Sequence, residues 1–182
     1  MKAPLRSPAG YRAAAGGHLA AVALLALVVV AAAACGRSTE SPGTPEPLSE
    51  VRVFFVGGGM DPCGEVGPVV REVEGPVDAA VALRELLRGP TEEETAAGFT
   101  SLFGPATADA LDRVTVADGI ARVSFRDLRP LLPNASSSCG SAALLAALDA
   151  TLAQLPGIRG ARYSFGGDEA AFYEWLQMAP PD

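Results

Sequence analysis

Apolar and polar positions alternate in several short runs after residue 50, and this pattern predicts β-strands. The clearest example is the pair Val114–Val116 and Ile120–Phe125, which is separated by Asp118-Gly119. An Asp-Gly step between two alternating apolar runs is typical of a β-hairpin with a tight turn. Runs rich in β-branched and aromatic residues predict three further strands: Val51–Val56, Val69–Val73 and Ala161–Phe165.

Leucines recur at helical spacing in two longer segments. The segment Ala79–Arg88 follows Asp78, and the segment Ala142–Leu155 follows Ser141. Asp and Ser are good N-caps, and each segment ends before Gly or Pro, so both predict helices. Thr91 and Glu94 have the spacing of a capping box that opens a further short helix. The order of these elements predicts an α+β fold: a single small domain with a mostly antiparallel sheet and two main helices on one face.

The N-terminal segment has the pattern of a secretory signal. Lys2, Arg6 and Arg12 precede the apolar run Leu19–Ala34, and no acidic residue occurs before Glu40. A basic region, an apolar region and small residues before a cleavage site characterise such signals. Because the basic flank remains on the cytoplasmic side, everything after this segment is expected outside the cytoplasmic membrane.

Cys35 directly follows the small residues Ala32–Ala34, as in the bacterial lipobox, so we expect it to carry the lipid of a lipoprotein at the cell membrane. Two alternatives stay open. Ala32–Ala34 also fits the site of ordinary signal cleavage, which releases a soluble protein. The segment Ala13–Ala34 is also long enough to remain as an uncleaved membrane anchor.

The chain therefore divides into four parts: a signal peptide (1–34), the lipidated cysteine with a tether (35–50), a folded domain (51–168) and a C-terminal tail (169–182). The tether is rich in Pro, Ser and Glu and holds one large apolar residue, Leu48. Such a composition buries too little apolar surface to fold by itself. Removing the signal leaves 148 residues, which suits one ordinary domain.

Composition narrows the possible chemistry of the extracytoplasmic part. The only His and the only Lys are His18 and Lys2, both in the signal. Ser-His and Cys-His nucleophile pairs, His-ligated zinc and lysine Schiff bases are therefore excluded. After residue 34 there are 11 basic and 21 acidic residues, a net charge of −10, which argues against nucleic acid as a partner.

Three cysteines are present, and Cys35 is assigned to the lipid. Cys63 and Cys139 then remain in an oxidising compartment, where we expect them to form a disulfide. Both lie in stretches rich in Gly, Pro and Ser. The alternative is two unpaired buried thiols.

Four segments, taken in order, resemble the GerMN domain, which is named from a sporulation and spore-germination protein. They are the opening strand Val51–Val56, LRELLRGPTEEE at Leu83–Glu94, VTVADGIARVSF at Val114–Phe125 and QLPGIRGARYSF at Gln154–Phe165. The resemblance implies an extracytoplasmic lipoprotein, a fold similar to small ring-building modules of envelope machines, and no established catalytic residue or cofactor. The pair Cys63 and Cys139 is not part of the general family pattern.

Two classes of function remain. We expect a non-catalytic module of the cell envelope that uses no cofactor or metal and binds a protein partner or its own copies, with β-strand edges at Val69–Val73 and Ala161–Phe165 as candidates. The alternative is a small-ligand-binding lipoprotein or a glycan hydrolase that pairs Asp168 or Glu169 with Asp61 or Glu65.

Overall fold

The computed structural model describes residues 46–61 and 63–181. The signal segment and Cys35 lie outside the described residues. The described part contains five strands and four α-helices, with a short 3₁₀ turn at Pro105–Thr107. In chain order the elements are β1 (Leu48–Phe55), β2 (Gly67–Glu74), α1 (Ala79–Leu87), α2 (Glu92–Ala96), β3 (Leu111–Ala117), β4 (Ile120–Phe125), α3 (Ser138–Ala153), β5 (Gly160–Phe165) and α4 (Glu169–Trp175).

The strands form two sheets, and the α+β class is confirmed. Strands β1 and β2 pair antiparallel, while the second sheet has the order β3-β4-β5. Strand β5 runs parallel to β4 because helix α3 carries the chain back across the sheet between them. Two of the three strand pairings are antiparallel, as expected, and the strands are divided between two sheets.

The core lies between the strands and helices α1 and α3. Side chains of β1 alternate between buried and exposed, with Val53 and Phe55 fully buried. They pack with the leucine stripes that the sequence predicted. The buried leucines of the two helices are Leu83, Leu86, Leu87, Leu144, Leu148 and Leu152. Each fully buried side chain of this size contributes roughly 1.5–3 kcal/mol relative to an exposed one, so these stripes fix the orientation of both helices.

Helix α4 belongs to this core and is not a separate tail. Asp168 caps it by accepting a hydrogen bond from Ala171 N, and Phe172 and Tyr173 are buried. The ring centroid of Phe172 lies 6.1 Å from that of Phe125 and 5.5 Å from that of Tyr163. Aromatic pairs at this separation add stabilisation beyond their buried area. The folded domain thus extends past residue 168, the boundary that the sequence suggested.

Helix α3 begins four residues earlier than the sequence predicted. Ser137, rather than Ser141, caps it and accepts a hydrogen bond from Gly140 N. The residues Ser-Cys-Gly-Ser at 138–141 lack the apolar spacing of a helix, so the sequence pattern predicts a loop there. In the structure, Cys139 lies in the first helical turn of α3 and not in a loop.

Arg71 on β2 joins the strands to the ends of α1 and α2. Its guanidinium donates to both carboxylate oxygens of Glu94, at 2.9 and 2.6 Å, and to the backbone oxygens of Glu85 and Gly89, at 2.6 and 2.7 Å. Glu94 also accepts from Thr91 N, which completes the predicted capping box. One largely buried arginine side chain therefore holds the C-terminal end of α1 and the N-terminal end of α2 against the sheet.

The predicted hairpin is present, with β3 and β4 joined by Asp118 and Gly119. Both turn residues have positive φ angles, 53° and 77°, which is the geometry of a type I′ turn. Glycine at position 119 adopts this φ without the strain that a Cβ would introduce.

Candidate functional sites: the sheet edges and the Asp149 cavity

Strand edges are the first candidate, since an open edge presents unpaired backbone groups. The outer edge of β1 is closed by α3. Gln154 Oε1 accepts from Arg52 N at 3.1 Å, and its Nε2 donates to Arg52 O. Thr151 Oγ1 accepts from Phe54 N at 3.2 Å. These side chains replace the hydrogen bonds of a neighbouring strand, so β1 is not available to a partner.

The two edges singled out from the sequence, β2 and β5, are indeed end strands of their sheets. The edge of β2 is obstructed along its length, and that of β5 is obstructed at two of its residues. Strand β2 carries Pro68 and two exposed glutamates, Glu72 and Glu74, along its outer edge. Proline and charged residues on an edge oppose pairing with another strand. On β5, Tyr163 N donates to the Tyr173 hydroxyl and Phe165 N donates to Asp168 O.

Strand β3 has the least obstructed edge in the described part of the chain. Ala117 and Ile120 flank a two-residue turn and form a hydrogen-bonded pair, so alternation points the N–H and C=O groups of Val114 and Val116 away from β4. Val116 is 48% exposed. An irregularity between Leu111 and Arg113 limits the regular edge to the part nearest the turn. The edge of β3 was not among the strand edges that the sequence pattern predicted.

A cavity of about 460 Å³ lies at the outer edge of β5, between α3, α4 and the C-terminal residues 178–181. This volume is within the range of small-ligand sites. Its walls are mainly apolar and include Leu145, Leu152, Ile158 and Met178. Asp149, the only charged residue of α3, lines the same space with Tyr163, Tyr173 and Arg159.

The polar groups of the cavity are linked to one another. The buried Tyr163 hydroxyl donates to Asp149 Oδ1 at 2.6 Å, and Tyr163 N donates to the Tyr173 hydroxyl at 3.4 Å. Desolvation raises the pKa of Asp149, and the hydrogen bond from Tyr163 only partly offsets this. Desolvation and the nearby Asp149 charge raise the pKa of Tyr163 well above its usual range, so its proton remains available to Asp149 at neutral pH.

The carboxylates proposed for a hydrolase each have a local structural role. Asp168 is the N-cap of α4, and Glu169 accepts from Arg162 at 3.4 Å. Asp61 Oδ1 accepts from Cys63 N at 2.9 Å, while Glu65 Oε2 accepts from Asp61 N at 2.9 Å. The first two residues lie around α4 and the other two lie in the β1–β2 loop. Their hydrogen bonds are those of caps and turns and give no support to an acid–base pair.

Cys63 and Cys139 form a disulfide that ties the β1–β2 loop to the first turn of α3, with their Cα atoms 4.2 Å apart. In residues 46–61 and 63–181 there is no group of three or more His, Cys, Asp or Glu residues placed to hold a metal ion. The same residues include no helix with the length and apolar character needed to cross a membrane.

Comparison with protein-family models identifies a family. The family model described as "Germane: Sporulation and spore germination" matches residues 52–170. Among curated proteins, none matches the chain. Two solved structures from Bacillus subtilis are similar to it. The tandem GerMN domains of the sporulation protein GerM are 15% identical, with a TM-score of 0.48, 71% of this chain covered and 43% of that chain covered.

The first GerMN domain of the same protein is 16% identical, with a TM-score of 0.44 and with 66% of this chain and 85% of that chain covered. In the first of these two comparisons, the chain spans less than half the length of the tandem structure. The family model matches more than half of the chain, from β1 into α4, and includes the Asp-Gly hairpin and the Arg71–Glu94 contact. The chain belongs to the Germane family of sporulation and spore germination, and its folded part is a GerMN domain.

Proposed function

We propose that this protein is a non-catalytic, lipid-anchored module on the outer face of the cytoplasmic membrane, and that it binds another protein or another copy of itself through strand β3. The observation that carries the proposal is the unequal protection of the strand edges. The outer edge of β1 is closed, and that of β2 carries proline and charged residues. On β5 the N–H groups of Tyr163 and Phe165 are occupied, whereas β3 presents the outward backbone groups of both Val114 and Val116. An added strand pairs with such an edge through main-chain hydrogen bonds.

Membrane anchoring allows a weak contact at a strand edge to be sufficient for association. A lipid on Cys35 confines the domain to a thin layer beside the membrane, and the tether to β1 lets the domain reach its neighbours there. Confinement of two partners to this layer raises their effective concentration without any new contact. We therefore expect residues 36–182, once removed from the membrane, to be monomeric or only weakly associated.

Replacing Cys35 by serine tests the anchor. We expect this variant to incorporate no fatty acid and to accumulate as an unprocessed precursor, because the thiol that receives the lipid is gone. Metabolic labelling with a fatty acid, followed by membrane fractionation, measures both effects. The anchor is refuted if the unaltered protein takes up no label and is recovered from the medium.

Replacing Val116 by proline tests the β3 edge. The N–H group of Val116 points away from β4, so proline there removes a donor from the open edge and leaves the β3–β4 hydrogen bonds in place. The part of the chain after residue 34 contains no lysine, so amine-reactive crosslinkers are unsuitable. A photoreactive residue in place of the exposed Thr115 allows crosslinking in intact membranes. We expect the crosslinked species to disappear in Val116→Pro.

Two control variants make the result specific to one edge. Val116→Thr keeps the backbone donor and a β-branched side chain, so its crosslinks should match those of the unaltered protein. Val70→Pro places the same change on the outer edge of β2, where the N–H group also points outward. Crosslinks that survive Val116→Pro, or that are lost equally in Val70→Pro, contradict the assignment to β3.

A further inference from the structure

We propose that the cavity beside β5 is a recognition site for an extended peptide segment, which inserts one long aliphatic side chain ending in an amine, as in lysine, toward Asp149. This site is independent of the association edge, since the residues that line the cavity come from α3, β5, the residues just before β5, α4 and the C-terminal segment, and none comes from β3.

The shape and walls of the cavity suit the stem of such a side chain. Leu145 and Leu152 of α3 lie on one side, and Ile158 and Met178 add further apolar surface. A volume of about 460 Å³ holds a lysine side chain with part of its backbone. Methylene groups gain free energy from leaving water for such walls, whereas a short polar side chain would leave them unfilled.

Asp149 provides the acceptor for the amine. The described contacts give its carboxylate one hydrogen bond, from the Tyr163 hydroxyl to Oδ1 at 2.6 Å. Ionised carboxylates have further acceptor positions, so Oδ2 remains able to accept from a ligand. Tyr163 is fully buried and its ring is packed against Phe125 and Phe172, which fixes the carboxylate beside the cavity.

The strand edge and Tyr173 provide groups for a peptide backbone. Gly160 N and Gly166 N donate toward β4, whereas Tyr163 N and Phe165 N donate in the opposite direction. By the alternation of a strand, Ala161 presents its N–H and C=O on the same side as Tyr163, and Ala161 lines the cavity. Tyr173 accepts from Tyr163 N and keeps its own hydroxyl proton for a ligand carbonyl.

The charged groups around the cavity leave Asp149 available. Tyr163 on β5 and Tyr173 on α4 face it, and both have raised pKa values, chiefly because they are desolvated, so they are uncharged at neutral pH. The remaining charged residue of the lining is Arg159, whose Nη2 is held at the hairpin turn by Asp118 O at 2.8 Å. An amine also complements the acidic character of the extracytoplasmic part, whose net charge is −10.

The fluorescence of Trp175 offers a direct measurement. Trp175 is the only tryptophan in the chain, lies two residues after Tyr173 and packs against Phe165 and Phe172. The probes are two blocked tripeptides that differ in one group: acetyl-Ala-Lys-Ala-amide, and acetyl-Ala-norleucine-Ala-amide, which keeps the aliphatic stem and lacks the amine. With the full chain in detergent, we expect the lysine peptide to bind at least tenfold more tightly than the norleucine peptide.

Three variants separate the parts of the site. Asp149→Asn retains an acceptor for Tyr163 and removes the charge, so it should abolish the preference for lysine. Glu72→Gln makes the same change in net charge on an exposed residue of β2 and should leave both affinities unchanged. Ala161→Pro removes the outward N–H and should weaken both peptides. Circular dichroism on each variant establishes that the fold is retained.

The dependence on pH gives an independent readout. The amine requires ionised Asp149, so binding of the lysine peptide should weaken as the pH falls through the raised pKa of this carboxyl, while the norleucine peptide should bind equally throughout. Equal affinity for the two peptides, no binding of either, or an unchanged lysine preference in folded Asp149→Asn overturns the proposal. None of these outcomes bears on the crosslinks of β3.

Discussion

Removing the disulfide by replacing Cys63 and Cys139 with serine should lower the free energy of unfolding of residues 36–182 by about 4 kcal/mol. The two cysteines are 76 residues apart in sequence. In the chain-entropy model, a crosslink that closes a loop of this length restricts the unfolded chain by roughly 4.5 kcal/mol, and measured losses for native disulfides are about 2–5 kcal/mol. The bond joins two segments that are distant in sequence, the glycine-rich β1–β2 loop and the first turn of α3.

Urea unfolding of the oxidised protein, the reduced protein and the double serine variant measures this effect. The reduced protein and the variant should share one midpoint, well below that of the oxidised protein. The urea dependence of the free energy should also rise, because an uncrosslinked unfolded chain exposes more surface. Identical midpoints for all three samples, or two freely alkylated thiols in the native protein without reductant, would contradict the prediction.

The elements that the sequence predicted well are those specified locally. The Asp118-Gly119 turn, the Asp78 cap and the Thr91–Glu94 box each depend on residues within a few positions of one another, and all are present in the structure. The leucine stripes of α1 and α3 are similarly explicit, because a period of 3.6 residues is visible without knowledge of the partner surface. Strand boundaries differ by one to three residues at most ends, as frayed ends of elements usually do.

The features that the sequence did not predict depend on contacts between distant segments. Gln154 closes the edge of β1 across 102 residues, and this contact helps to keep the five strands from forming one sheet. The cavity combines α3, β5, α4 and the last residues of the chain, so its existence depends on how these elements pack. One local signal was available, since Asp149 is a lone charge within an otherwise uncharged helix. A single carboxylate in an otherwise uncharged, leucine-rich helix is a candidate binding residue before its neighbours are known.

Replacing Arg71 by alanine should lower the free energy of unfolding by about 3 kcal/mol, because it removes the cationic partner of Glu94 and the side-chain donor of two backbone oxygens. The side chains of Arg71 and Glu94 are only 11% and 14% exposed, and their contact is bidentate. The guanidinium also lies 5.4 Å from the centroid of the Phe55 ring. Arg71→Lys should restore little of the loss, since an ammonium group cannot reproduce the planar fork that reaches Glu94, Glu85 O and Gly89 O together.

Arg88→Ala is the matched control for this arginine. Arg88 pairs with Glu85, a residue that Arg71 also contacts, but its side chain is 60% exposed. Exposed ion pairs contribute about 0–1 kcal/mol, so this variant should unfold close to the unaltered protein. Urea unfolding at neutral pH measures the loss of unfolding free energy in both variants. If the loss in Arg71→Ala is no larger than that in Arg88→Ala, the contacts of Arg71 contribute no more than a surface ion pair does.

The dependence of stability on pH distinguishes the ion pair from simple packing. Desolvation acts to raise the pKa of Glu94, but hydrogen bonds from Arg71 and from Thr91 N outweigh it, and the folded-state pKa is lowered. A carboxyl with a lowered folded-state pKa contributes stability above its unfolded pKa, and this contribution is lost as the pH falls through the folded value. Urea midpoints of the unaltered protein should therefore decline in acid, below the usual range of glutamate. In Arg71→Ala, the part of this decline that comes from Glu94 should become smaller. If the urea midpoints of Arg71→Ala and of the unaltered protein instead decline in parallel, Arg71 stabilises the domain by packing alone.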